Sequence, residues 1–301
     1  MNQPRILVVR GGAIGDFICT LPAIGALRER FPDAHLEILG YPHIIELAHG
    51  RYYANAVRSI EARAMAGFFI PNAIVDPGLR DYFASFHLVL SYLFDPDDVF
   101  AGNVRACGVQ QFIAGSPRPA DRPAAEHYCR PLESLAIYVD RPCPRVYPSA
   151  ADRQFGEKFA PGSDWAAIHP GSGSEKKNWP AEKFAALARW LADEQGMRLL
   201  LVQGEADEKA AGQFLPLVAP RPVTIARGLK LVELAGVLER CALFVGNDSG
   251  ITHLAAAVGA PTLALFGPAS LPIWEPRPAR VIRFGRDDLA AARAAVTELC
   301  R

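Results

Sequence analysis

Phe244-Val245-Gly246-Asn247-Asp248-Ser249-Gly250-Ile251-Thr252-His253-Leu254-Ala255-Ala256-Ala257 is an apolar run that breaks at a polar turn and restarts as a helix of small residues. A strand-turn-helix of this kind aims the unpaired N–H groups of the first helical turn, and the positive end of the helix dipole, at whatever lies above the turn. Gly250 allows close approach to the backbone, and Ser249 or Thr252 can add hydroxyl donors, so the natural occupant is an anion such as a diphosphate. A helix capped by Asp248 or Ser249 would explain the turn equally well if it stood alone. It does not stand alone.

Arg5-Ile6-Leu7-Val8-Val9-Arg10 reads as a buried strand, followed by Gly11-Gly12-Ala13-Ile14-Gly15-Asp16 and a helical run to Arg30. This opens a doubly wound α/β unit, but the glycine spacing is not G-x-G-x-x-G and the next strand ends in Gly40 with no acidic residue, which disfavours a nicotinamide enzyme. Asp16 stands where carboxylates are presented above the carboxyl end of a sheet, although the helix dipole also favours an acid there. A third loop, His169-Pro170-Gly171-Ser172-Gly173-Ser174-Glu175-Lys176-Lys177-Asn178-Trp179-Pro180, again follows a short apolar strand. Its Gly, Ser and Lys suit phosphate, yet the G-x-x-x-x-G-K-[ST] spacing of a Walker loop is absent.

Taken together, these three segments resemble the ADP-heptose lipopolysaccharide heptosyltransferases of glycosyltransferase family 9. Arg10 to Asp16 is similar to that family's amino-terminal loop, His169 to Pro180 to its phosphate-lysine loop, and Asn247 to His253 with Leu265-Phe266-Gly267-Pro268 to its donor signature. The resemblance spans most of the chain and is weakest between about residues 41 and 161. It implies the GT-B architecture, two Rossmann-like doubly wound α/β domains facing a cleft. It further implies an inverting, metal-independent transfer of heptose from ADP-heptose to a lipopolysaccharide core or a related cell-envelope glycan.

Composition fits a soluble enzyme. The 301 residues carry 32 basic and 32 acidic side chains, so no net field draws in nucleic acid or an anionic membrane. The six cysteines lack C-x-x-C or Cys/His ligand spacing, which suggests a reduced cytoplasmic protein without structural zinc. No run reaches the roughly 18 to 20 apolar residues of a membrane span, and the start of the chain lacks a signal sequence. Any membrane contact would be peripheral, at the inner face of the cytoplasmic membrane.

Strands are expected at 5–10, 35–40, 87–92 and 109–113, with helices near 16–30, 96–106 and 126–139. The alternation restarts with strands near 165–168, 197–202, 222–225, 241–245 and 262–266. Prolines between about 140 and 163 suggest an interdomain linker there. The chain therefore divides into an acceptor-binding domain, 1–150, and a donor-binding domain, 151–301, whose last helix, from about Asp287 to Cys300, is expected to cross back onto the first. Asp95-Pro96-Asp97-Asp98 contains the Asp-x-Asp of metal-dependent transferases, but Asp95 as N-cap with Pro96 at the first helical position describes an ordinary helix start.

Transfer from a nucleotide diphosphate needs a base for the acceptor hydroxyl, charge for the departing diphosphate and exclusion of water. Asp16 is the candidate base, presented by a cleft loop of Gly11, Gly12 and Gly15. Lys177 would neutralise phosphate, and the N–H groups around Ser249, Gly250, Ile251, Thr252 and His253 would bind it through the helix amino end. A lysine with a helix dipole can replace a divalent ion, so no metal or other cofactor is expected beyond the ADP-sugar co-substrate. By resemblance, Asp248 would hold sugar hydroxyls and Glu208, or else Glu205, the donor ribose. The partners expected are a nucleotide-sugar donor and a glycolipid or glycan acceptor. Three other readings stay open: a GT-B enzyme using a UDP- or GDP-sugar, whether transferase or epimerase, a protein-directed heptosyltransferase, and a non-catalytic relative that binds a nucleotide sugar or a partner protein.

Overall fold

In a computed structural model, which describes residues 3–71, 76–285 and 287–301, the contacts divide the chain into two units, Met1–Pro142 and Cys143–Arg301. The apolar run near the amino terminus forms β1 (Arg5–Arg10), and α1 (Ile14–Arg30) follows it after one turn. β2 (His35–Gly40), the short α2 (Pro42–Ile45) and β3 (Ala56–Ser59) come next. α3 (Pro77–Ala84), β4 (Leu88–Ser91), α4 (Val99–Ala106), β5 (Gln111–Ala114) and α5 (Ala124–Cys129) complete the first unit. All five strands are parallel, in the order β3-β2-β1-β4-β5, so the winding reverses between β1 and β4. β1 is buried on both faces, as a central parallel strand must be. Leu7, Val9, Leu39, Phe68, Phe83 and Phe100 form the core on one side of the sheet.

The second unit begins with α6 (Ala150–Phe159), followed by β6 (Trp165–His169), α7 (Ala181–Asp193), β7 (Arg198–Gln203), α8 (Glu208–Val218), β8 (Val223–Arg227) and α9 (Leu231–Leu238). β9 (Leu243–Asn247), α10 (Gly250–Ala257), β10 (Thr262–Phe266), β11 (Arg280–Arg283) and α11 (Asp288–Leu299) end the chain. Its parallel sheet has the order β11-β10-β9-β6-β7-β8, and the winding reverses between β6 and β9. In open α/β sheets ligands bind beyond the carboxyl ends of the strands at such a reversal. The loops that matter are therefore those after β1 and β4 in one unit, and after β6 and β9 in the other.

Several expected elements differ. The proline-rich stretch at 140–163 contains α6, because Ser149 caps Asp152 N–H at 3.2 Å while Asp152 Oδ2 accepts Ser149 N–H at 2.7 Å. α6 then crosses α9 at glycine contact: a Cβ on Gly156 would lie 2.2 Å from the Gly236 carbonyl oxygen. The helix expected at 126–139 stops as α-helix at Cys129 and continues as a 3-10 turn, since Pro131 has no N–H to give. α4 begins at Val99, and Asp95 reaches forward to accept the N–H groups of Phe100 at 3.1 Å and Ala101 at 2.9 Å. Within its own unit, α11 places Ala292, Ala295 and Val296 in the core of Ile168, Leu201, Val245 and Leu265.

Candidate active site

The loop after β1 turns at Gly12, whose φ of 91° suits a residue without a side chain; a Cβ there would come within 3.0 Å of Asp16 Oδ2. That turn delivers the Ala13 N–H to Asp16 Oδ2 at 2.9 Å, while Gly15 lies in the first turn of α1 and Gly11 backs onto Leu93. Arg10, the last residue of β1, is buried and pairs with Asp16 Oδ1 at 3.0 Å. Its other donors reach Thr20 Oγ1 at 3.0 Å and the Tyr92 carbonyl at 3.4 Å, so each of the three guanidinium nitrogens has a partner that offsets the cost of burying the charge.

Tyr128, in α5, closes the arrangement. Its ring lies 4.6 Å under the Arg10 guanidinium and its hydroxyl is 3.0 Å from both Asp16 Oδ1 and the Pro117 carbonyl oxygen. Burial raises the Tyr128 phenol well above its ordinary value; Arg10 opposes the shift and the Asp16 charge adds to it, so the group stays a donor. Tyr92 in turn donates to the Tyr128 carbonyl. Asp16 keeps 23% of its side chain exposed, which leaves it accessible as well as oriented.

In the second unit Asn247, at the end of β9 and fully buried, organises the loop after β6. Its Nδ2 donates to the carbonyls of Pro170 at 2.8 Å and Gly171 at 3.3 Å, and its Oδ1 accepts the Trp179 N–H at 2.8 Å. Both ends of the loop are thereby tied to the strand whose turn starts α10. Within the loop a 3-10 turn, Glu175–Lys177, presents Lys177, whose Nζ lies 2.8 Å from Asp248 Oδ2. Ser249 caps α10 by accepting the Thr252 N–H at 3.3 Å. The N–H groups of Gly250 and Ile251 belong to the first turn and have no acceptor within the helix.

Beneath this surface runs a buried chain of side chains. Asp207 Oδ2 accepts from His169 Nε2 at 2.9 Å, and His169 Nδ1 is 3.2 Å from Ser249 Oγ. Burial works against ionisation of Asp207, but the His169 hydrogen bond and charge, with the Gly204 N–H, outweigh it and hold the carboxyl below its ordinary value. An ionised carboxylate only accepts, so His169 carries hydrogen on Nε2 and its Nδ1 faces the Ser249 hydroxyl. Gly171 is required for this contact, since a Cβ there would sit 1.9 Å from Asp207 Oδ1.

Asp248, Ser249, Gly250 and Lys177 are thus brought together at the reversal of the second sheet, while Asp16 and the glycine loop occupy the reversal of the first. Thr252 contributes differently from expectation: it is fully buried and its hydroxyl donates inward to the Asn247 carbonyl. Its role is to lock the turn. His253 is buried in the same helix. Glu208 begins α8 as an exposed residue, and the Glu205 side chain lies outside the described residues. A cavity of about 210 Å³ opens beside the Lys177 loop, lined by Gly171, Ser172, Glu175, Asn178, Ala206 and Lys209. Tyr128 and Asp207 escape a reading of sequence alone, because each meets its partner across a long separation.

The profile of glycosyltransferase family 9 (heptosyltransferase) matches residues 118–297. The lipopolysaccharide heptosyltransferase 2 of Escherichia coli K12 is 26% identical over 311 residues, covering 93% of this chain and 88% of that protein. Among solved structures, a family 9 glycosyl transferase from Veillonella parvula superposes with a TM-score of 0.81 at 19% identity, covering 100% of this chain and 98% of that one. An E. coli heptosyltransferase solved with ADP gives 0.75 at 18% identity, covering 98% and 99%. The two doubly wound units accordingly have the GT-B fold, and the profile match across more than half of its length makes the chain a member of glycosyltransferase family 9, hence a glycosyltransferase.

Proposed function

We propose that this enzyme transfers a heptose from ADP-heptose to a lipopolysaccharide core or a related cell-envelope glycan, with inversion and without a metal ion. The observation that carries this reading is the Lys177–Asp248 pair beside the first turn of α10, at the reversal of the second sheet. Lys177 and the N–H groups of Gly250 and Ile251 supply the positive charge that a departing diphosphate needs, which is the work a divalent ion does elsewhere. Asp248 then takes sugar hydroxyls, and Glu208 or Glu205 the ribose. The unit from Cys143 onward is read as the donor domain and the unit before it as the acceptor domain.

Asp16 acts as the base. It removes the acceptor proton as the acceptor oxygen attacks the anomeric carbon from the face opposite the diphosphate, so the configuration inverts and the electron pair of the broken bond leaves on ADP. The lipopolysaccharide acceptor is supported by the E. coli relative, 88% of which is covered, and ADP by the relative solved with it. All six cysteines are free thiols, as in proteins of the reducing cytoplasm, which supports a cytoplasmic enzyme. No helix among the described residues is long and apolar enough to cross a membrane, so contact with a lipid-borne acceptor would be peripheral.

The test is a thermal-shift titration with ADP, UDP, GDP and NAD, with and without EDTA. A ligand at about 100 times its dissociation constant adds roughly 2.7 kcal/mol of stability. Selective stabilisation by ADP that survives EDTA supports the proposal. A preference for UDP or GDP would move the assignment to another nucleotide-sugar enzyme, and ADP selectivity without turnover on lipopolysaccharide would favour a protein acceptor.

A further inference from the structure

A carboxylate has about four acceptor sites, two on each oxygen. Among the described residues, Asp16 Oδ1 receives Arg10 Nη2 and the Tyr128 hydroxyl, each at 3.0 Å, and Oδ2 receives the Ala13 N–H at 2.9 Å. The remaining site is on Oδ2, the atom that a Cβ on Gly12 would crowd at 3.0 Å. Tyr128 has one hydroxyl hydrogen and two acceptors at equal distance, Asp16 Oδ1 and the Pro117 carbonyl oxygen. A charged acceptor wins such a competition, and a neutral acid loses its advantage.

We propose that Tyr128 is a positioning residue whose hydroxyl hydrogen changes acceptor during turnover, and that Oδ2 is the atom of Asp16 that takes the proton. This rests on Asp16 being the base. Before transfer, Tyr128 donates to the charged Oδ1 and, with Arg10, fixes the carboxylate so that Oδ2 faces the acceptor. As the acceptor O–H bond breaks and its proton moves to Oδ2, the charge on Asp16 is lost. The Tyr128 hydrogen then turns to the Pro117 carbonyl, so no buried donor is stranded in either state. The burial that keeps the phenol protonated ensures that it serves as a donor and not as a rival base.

Tyr128→Phe isolates the hydroxyl, since the ring beneath Arg10 is kept. With ADP-heptose and heptose-deficient lipopolysaccharide, kcat should fall about tenfold or more while KM for the donor is unchanged. The acid limb of the kcat profile should move to higher pH, because the carboxylate loses a donor that favours its charged form. In parallel, 3-fluorotyrosine placed at 128 in the full chain retains the hydroxyl and should restore kcat; its fluorine resonance should show a step with pH that disappears in Asp16→Asn. Unchanged kcat and pH profile in Tyr128→Phe, with Asp16→Asn inactive, would overturn the positioning role and leave the base assignment standing. An active Asp16→Asn would overturn both. A fluorine resonance without the step would overturn the change of acceptor, and it remains measurable if Tyr128→Phe does not fold.

Discussion

Lys177 Nζ lies 2.8 Å from Asp248 Oδ2, joining the loop after β6 to the turn that starts α10. Asp248 is 6% exposed and Lys177 32%, so the carboxylate is the fixed partner and the ammonium the one able to turn to a ligand. Replacing Lys177 with Ala removes the direct charge and leaves a buried carboxylate facing the diphosphate. ADP should bind at least about tenfold more weakly, since hydrogen bonds to charged groups contribute about 1.5–3 kcal/mol. Asp248→Asn has the opposite sign for ADP: affinity is kept or improved, while transfer of the sugar is lost. Calorimetric titration of both variants separates the roles; equal loss of ADP affinity in the two would refute the division of labour.

Asp16→Asn keeps the shape of the side chain and removes its basicity. General base catalysis contributes about 10²–10⁴-fold, so turnover should drop by that order. ADP affinity should stay within about twofold, because the nucleotide is assigned to the other unit. A variant that turns over at the wild-type rate would eliminate Asp16 as the base, and one that lost ADP binding would argue that Asp16 acts on the donor.

Gly171→Ala tests the buried chain under the donor surface. The added Cβ would fall 1.9 Å from Asp207 Oδ1, and Asp207 is held by His169 and the Gly204 N–H. Displacing it should cost about 1–3 kcal/mol, the usual range for overpacking. Gly173 in the same loop has nothing within 4 Å of its Cβ position, so Gly173→Ala serves as the matched control. Urea unfolding followed by far-UV circular dichroism gives both values, and equal stability of the two variants would count against the Asp207 contact.

The apolar runs are enough to locate the interior strands: β1, β2 and β10 are buried along most of their length and each carries a run of apolar side chains, Ile6-Leu7-Val8-Val9, Ile38-Leu39 and Leu263-Ala264-Leu265-Phe266. Of the four edge strands, β5 and β8 lie where strands were expected, whereas β3 and β11, Ala56-Val57-Arg58-Ser59 and Arg280-Val281-Ile282-Arg283, are short and bring arginines into the run, so they carry too little apolar sequence to be seen. Among candidate site residues, those contiguous in the chain around Asn247 to Gly250 were legible as a turn. Partnerships across the fold were not. Tyr128 meets Asp16 across 112 residues and His169 meets Ser249 across 80, and no local spacing encodes either. Thr252 misled for a related reason, since the sequence places its hydroxyl at a helix start but only the backbone turn decides that it points inward.

Two buried carboxyls set the response to acid. Asp207 is held below its ordinary value as described, and Asp288 likewise: burial opposes its ionisation, but Lys183 at 2.6 Å, the Trp179 indole N–H at 3.0 Å and the Gly285 N–H outweigh it. A carboxyl depressed in the folded state binds fewer protons than it does unfolded. Its stabilisation is therefore complete above the unfolded carboxylate range and is lost as pH falls through that range toward the folded value. Stability of the second unit should be flat near neutrality and decline from about pH 5 downward. Asp288→Asn and Asp207→Asn should each lower stability at pH 7 and flatten this decline, because the variant has no proton left to gain. Urea midpoints at pH 7 and pH 4 measure the difference. A decline as steep in both variants as in the wild type would assign the acid sensitivity to other groups.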